Sequence, residues 1–140
     1  MKKRLEAILV DYLKAELPAY AAMIVPGHTT NDRPKPYICV DVSQVKGHGD
    51  MPIEYGLLDA TVSVAIADSA HDIEYAAQDD RLMDVVEKIE EFEYEGEDMI
   101  LRALTSFDEA DAKDENNIGN VATWTAIVQV LDWGKVRGQA

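Results

Sequence analysis

Leu58, Ala60, Val62, Val64 and Ile66 are apolar at period two, with Asp59, Thr61, Ser63 and Ala65 between them. That alternation predicts a half-buried strand, because successive side chains leave a strand on opposite faces. The strand is expected to span about Ile53 to Ala67. After Asp68-Ser69 the period changes. Tyr75, Leu82, Val86, Ile89 and Phe92 recur at helical spacing, so a strand runs into an amphipathic helix. Near the start of the chain Leu5, Ile8, Leu9, Tyr12 and Leu13 form another helical stripe, from about Lys3 to Leu17, with Glu6, Asp11 and Lys14 off it. Pro18 ends that helix, since the residue before a proline disfavours helical geometry.

Three further strands follow from the same pattern. Ile38, Val40 and Val42 share one face of a strand over about Tyr37 to Ser43. Met99, Leu101, Ala103 and Phe107 point inward from one over about Met99 to Phe107. Ala122, Trp124, Ala126, Val128 and Val130 do so from about Val121 to Asp132. The turn formers Pro26-Gly27, Asn31-Asp32, Arg33-Pro34 and Pro36 mark a loop. Lys46-Gly47-His48-Gly49-Asp50 reads as the glycine-rich tip of a hairpin, before Pro52. Asp108 to Asn120 is turn-rich and reads as a poorly ordered acidic loop. The order helix, strand, strand, helix, strand, strand predicts an α+β fold. Its expected form is a four-stranded, mainly antiparallel sheet with two helices packed on one face. One domain covers residues 1–133, and 134–140 reads as a flexible tail. Ala65, Ala67, Ile100, Leu104 and Ile127 fall on the outer face of that sheet, which a partner would gain by covering.

Composition narrows the function classes. A chain of 140 residues that is 47% apolar supports a single packed core. No apolar run approaches the roughly 18 to 20 residues that span a bilayer. Glu6 and Asp11 interrupt the stretch that would follow Met1-Lys2-Lys3-Arg4 in a signal peptide. The three basic residues there oppose the helix dipole and are either solvated or turned toward a partner. The single Cys39 has no internal disulfide partner and sits among strand residues. A formal net charge of −14, from 27 acidic and 13 basic residues, repels nucleic acid and anionic membrane.

Candidate chemistry is sparse. His28, His48 and His71 show no i,i+4 pairing and no H-E-x-x-H pattern. Ser69, three residues before Asp72, suits a helix start around His71 better than a catalytic pair. Gly47-His48-Gly49 lacks the pattern of a phosphate loop. From Glu90 to Glu115 eleven carboxylates face only Arg102 and Lys113, yet the twelve-residue calcium-loop spacing is missing. Asp108, Glu109, Asp111, Asp114 and Glu115 therefore read as an acidic surface, solvated or facing a subunit or lumen. Trp133 either caps the core edge or enters a subunit interface, where tryptophan is enriched. Lys46, His48, Asp50 and Trp133 are the candidate partner contacts. These residues point to no catalytic residue, cofactor or metal, so a non-enzymatic protein is expected.

The whole pattern resembles the tail terminator and tail completion proteins of tailed bacteriophages. The residues that carry it are Leu5 to Leu13, Pro36-Tyr37-Ile38-Cys39-Val40, Ala60 to Ser69, and Thr123-Trp124-Thr125-Ala126-Ile127-Val128-Gln129-Val130. The resemblance implies a small protomer that closes into a homo-hexameric ring, stops growth of the tail tube and joins it to the neck. Its implied partners are itself, the tail-tube protein and a neck or head-completion protein. DNA passes without specific binding, and no membrane is involved. Its place would be the virion, with host cytoplasm during assembly. Another neck or tail-tube protein, or a small ligand-binding or regulatory α+β module, are the rival expectations.

Overall fold

A computed structural model describes residues 1–27, 36–68, 75–103, 108–113 and 120–137. Helix α1 (Lys2–Glu16) stops one residue before the position set by Pro18, and a 3-10 turn (Pro18–Met23) leads into strand β1 (Ile24–Pro26). Strands β2 (Tyr37–Gly47) and β3 (Leu57–Ala67) form a long hairpin. Helix α2 (Tyr75–Glu90) follows, then β4 (Glu93–Glu95), β5 (Met99–Ala103), β6 (Asp108–Lys113), β7 (Asn120–Asp132) and a terminal helix α3 (Trp133–Arg137).

The four-stranded, mainly antiparallel sheet expected from the pattern is not what forms. Seven strands make one mixed sheet in the order β1-β2-β3-β7-β5-β4, with β6 also on β7, and the sheet curls into a half-barrel. The class is still α+β. The strands that the pattern misses are short or charged. β1 and β4 hold three residues each, too few for a period to show. β6 reads DEADAK, with two alanines among charged residues. It is held in the ladder from Asp108↔Thr125 to Lys113↔Asn120, so backbone pairing stands where a loop was expected. β1 runs parallel to β2, which makes the sheet mixed.

β7 organises the sheet. One edge pairs with β3 from Val121 to Leu131. The other is divided between β6 at its start and β5 at its end. β3 and β5 each run antiparallel to β7, so they are parallel to one another with α2 in the connection, a split β-α-β unit. The inward registers of β3 and β7 follow the alternation: Leu58, Ala60, Val62, Val64 and Ile66 meet Ala126, Val128 and Val130 in one core cluster with Leu5, Leu9 and Leu13 of α1 and Leu82, Val85 and Ile89 of α2. Each valine, leucine and isoleucine among them contributes roughly 1.5–3 kcal/mol on burial. Ala67, expected on the outer face, is fully buried. Ile53–Tyr55, expected in the second strand, forms a 3-10 turn instead. Residues 134–137, the start of the segment expected as a flexible tail, are helical as part of α3.

Glu6, placed off the apolar stripe by its charge, is buried at 2% exposure. The reason lies in the sheet edge. Val40 accepts from the Gly27 amide on the β1 side of β2, so the Val42 amide two residues on points the same way. β1 has ended by then, and Glu6 Oε1 accepts from the Val42 amide at 2.9 Å. Glu6→Ala is expected to cost about 1–3 kcal/mol by leaving that buried donor without this acceptor. Glu6→Gln, which keeps a carbonyl oxygen there, is expected to cost less; urea midpoints of the two variants check this.

The basic start of α1 is also used within the chain. Lys2 Nζ donates to the Ser43 carbonyl at 3.0 Å. Arg4 grips both oxygens of Asp98 at 2.7 Å. Those hydrogen bonds hold the Asp98 carboxyl below its ordinary range. The stability that they lend is complete above ordinary carboxylate titration and is lost as pH falls through the lowered value. Both side chains are half exposed, so solvent keeps the contribution small.

Candidate interaction surface

The connection from β2 to β3 is a built structure. The His48 amide donates to the Leu57 carbonyl at 2.9 Å, closing the base. Met51 donates to His48, Tyr55 to Pro52 and Gly56 to Ile53, at 3.0 to 3.2 Å. Gly49 and Gly56 take positive φ, 57° and 87°, which glycine adopts without steric cost. His48 Nδ1 lies 3.0 and 3.1 Å from the two oxygens of Asp59, a residue that is 9% exposed. Lys46 stands opposite Asp59 in the ladder. The imidazole thus ties the tip to the strand below it.

Three large apolar residues of this connection are open to solvent. Met51, Ile53 and Tyr55 are 47%, 44% and 51% exposed. Among the described residues the other exposed large hydrophobics are Met1 and Met83. Single exposed apolar residues are ordinary, but here three stand within five positions on a fixed turn. Ile53 and Tyr55 lie between Pro52 and Gly56, inside the stretch expected to open the second strand, and Met51 lies just before it. The two flanking turn residues were the signal that it is not strand there.

The candidate contacts Lys46, His48, Asp50 and Trp133 gather at this end of the sheet. Lys46 and Asp50 are exposed and His48 half-buried. Trp133 opens α3, half-buried, its amide donating to the Asp98 carbonyl at 2.9 Å. α3 packs on the 3-10 turn, and the Asp132 amide donates to the Gly56 carbonyl at 2.7 Å. A Cβ at Gly56 would lie 2.8 Å from the Asp132 oxygen and 2.9 Å from Val136 Cγ2. Gly56→Ala therefore meets both a left-handed backbone, about 1–2 kcal/mol, and a collision with α3. The melting temperature is expected to drop by several degrees, with α3 amides losing hydrogen-exchange protection.

The acidic candidates lie elsewhere. Asp108, Glu109 and Asp111 are in β6, paired with the first half of β7, whereas the tip adjoins its end, at Leu57↔Leu131. At roughly 3.3 Å per residue the two are about 20 Å apart along β7. Asp114 and Glu115 fall outside the described residues, as do His28 and His71. Among the described residues no three His, Cys, Asp or Glu side chains stand together as a metal would require. Likewise no helix there is long and apolar enough to cross a membrane.

No protein-family model matches the chain, and no curated protein matches it in sequence.

Proposed function

We propose that this chain is a virion structural protein, a ring-forming tail terminator that caps a phage tail tube and joins it to the neck. The observation that carries this reading is the trio of exposed apolar residues Met51, Ile53 and Tyr55, held on a hydrogen-bonded turn against which α3 packs. A fixed apolar tip suits repeated contact with an identical neighbour, and a heterologous contact whose rotation closes makes a ring. The net charge of −14 suits a channel that DNA traverses. Cationic walls would release counterions and hold the strand. The partners in this reading are further copies of the chain, the tail-tube protein and a neck protein.

The test is the mass of the purified protein across a concentration series, with negative-stain images of the assembled species. A six-fold ring is expected, formed either at high concentration or on added tail tubes. Replacing Met51, Ile53 and Tyr55 together by serine is expected to weaken assembly at least about tenfold, since a few central side chains carry most of an interface's energy. Its melting temperature should stay near that of the parent. Rings of another symmetry, or an unchanged assembly constant in the triple variant, reject the reading.

A further inference from the structure

Among the described residues β4 is the last strand of the sheet, and none of them pairs with its outer edge. Two backbone hydrogen bonds fix which groups lie along it. The Gly96 amide donates to the Met99 carbonyl at 2.8 Å, and the Ala103 amide to the Phe92 carbonyl at 3.3 Å. With Tyr94 opposite Leu101, residues 92, 94 and 96 turn their backbone groups toward β5. Glu93 and Glu95 therefore turn theirs outward, because the pattern alternates in an antiparallel pair.

Beside this edge is a groove of about 430 Å³ lined by Ile8, Asp11 and Tyr12 of α1 and by Phe92, Glu93 and Tyr94. Tyr12 and Phe92 meet edge to face, with centroids 4.8 Å apart, and Tyr12 donates to the Lys88 carbonyl at 2.6 Å. The floor is thus aromatic and fixed. Its rim is acidic: Asp11, Glu93 and Glu95 are exposed, and Glu16 and Glu91 act on Tyr12. Of the nearby cations, Lys88 is shared between Glu16 and Glu91, Arg102 stands across the ladder from Glu93, and Arg4, close enough to act on Tyr94, is held by both oxygens of Asp98.

We infer that this slot receives an extended, basic segment of a partner protein as an added strand on β4. Strand addition takes its affinity from main-chain bonds and its selectivity from alternate side chains. Inward residues of the guest would lie over Tyr12, Phe92 and Tyr94 and should be apolar. Outward residues would flank Glu93 and Glu95 and should be lysine or arginine. A second β4 is excluded, since it would set glutamates against glutamates. Short charged edges commonly serve only to block pairing; here the charge blocks acidic strands and admits basic ones. The inference concerns a different face from the hairpin tip and stands whether or not the chain forms rings.

The probe is a short, end-capped peptide of alternating lysine and valine, titrated into the labelled protein and followed by NMR and amide exchange. Saturable binding is expected, with the Glu93 and Glu95 amides gaining protection. Methylating the peptide's edge-facing backbone nitrogens should weaken binding about tenfold or more, the loss of one or two backbone bonds. Methylating the alternate nitrogens should not. Glu93→Lys with Glu95→Lys should abolish binding without unfolding, as both side chains are exposed. No binding, equal binding of both methylated peptides, or equal binding of a peptide with its lysines and valines in separate blocks overturns the inference. The last two outcomes would mean charge attraction alone.

Discussion

Val64→Asp is expected to yield a chain that does not fold. Val64 is fully buried on the central strand β3, with Val40 opposite on β2 and Trp124 opposite on β7. An ionised carboxylate there has neither water nor a cation, and burying one unpaired costs several kcal/mol or forces its protonation. A domain of this size has only about 5–15 kcal/mol in total. Two controls separate charge burial from loss of shape. Val64→Thr keeps the volume and exchanges one methyl for a hydroxyl, so it should fold with its stability lowered by about 1–3 kcal/mol. Thr61→Asp, on the opposite face and only partly buried, should fold with a small loss. Circular dichroism and cooperative melting decide it. A soluble, cooperatively melting Val64→Asp chain would show that the register is wrong.

That register was legible because it is written in side chains. The alternation from Leu58 to Ile66 and from Trp124 to Val130, and the helical stripe through Leu9 and Leu82, place the core correctly. What the pattern hides is structure made by backbone. Ile24-Val25-Pro26 extends the sheet through parallel pairing with β2, and three residues show no period. Asp108 to Lys113 looks like loop, yet β7 is longer than β5 and leaves an edge on which any extended segment can pair. Glu6 was put outside by its charge, yet it is inside because the neighbouring strand ends one amide too soon. The site was half legible. Lys46, His48 and Asp50 are marked by their glycines, whereas the exposed apolar residues beside them are not: Ile53 and Tyr55 fall in the stretch expected as strand, and Met51 falls just before it. Their exposure depends on the 3-10 turn, which local sequence does not separate from a strand end.

Asp68→Ala is the second substitution with a large expected effect. Asp68 follows the last residue of β3 and is 5% exposed. Its Oδ2 accepts from Arg81 Nη2 of α2 at 2.7 Å, with the two side chains 8% and 15% exposed. Arg81 Nε also donates to the Ala77 carbonyl at 3.3 Å, which fixes the guanidinium plane. Removing the carboxylate strands a cation in a site with little water, and breaking such a pair costs about 3–5 kcal/mol. Asp84, one turn further along α2, does not replace it: that carboxylate accepts from the Tyr20 hydroxyl at 2.8 Å. Much of the loss is thus the desolvation of Arg81 rather than the worth of the pair, and this can be separated. Asp68→Leu with Arg81→Met removes both charges and should recover most of the stability, since apolar replacements of buried ion pairs are often neutral or better. Denaturant midpoints of the single and double variants measure the coupling. If Asp68→Ala alone costs no more than an exposed pair would, about 1 kcal/mol or less, the bridge is solvated and does not clamp α2 to the end of β3.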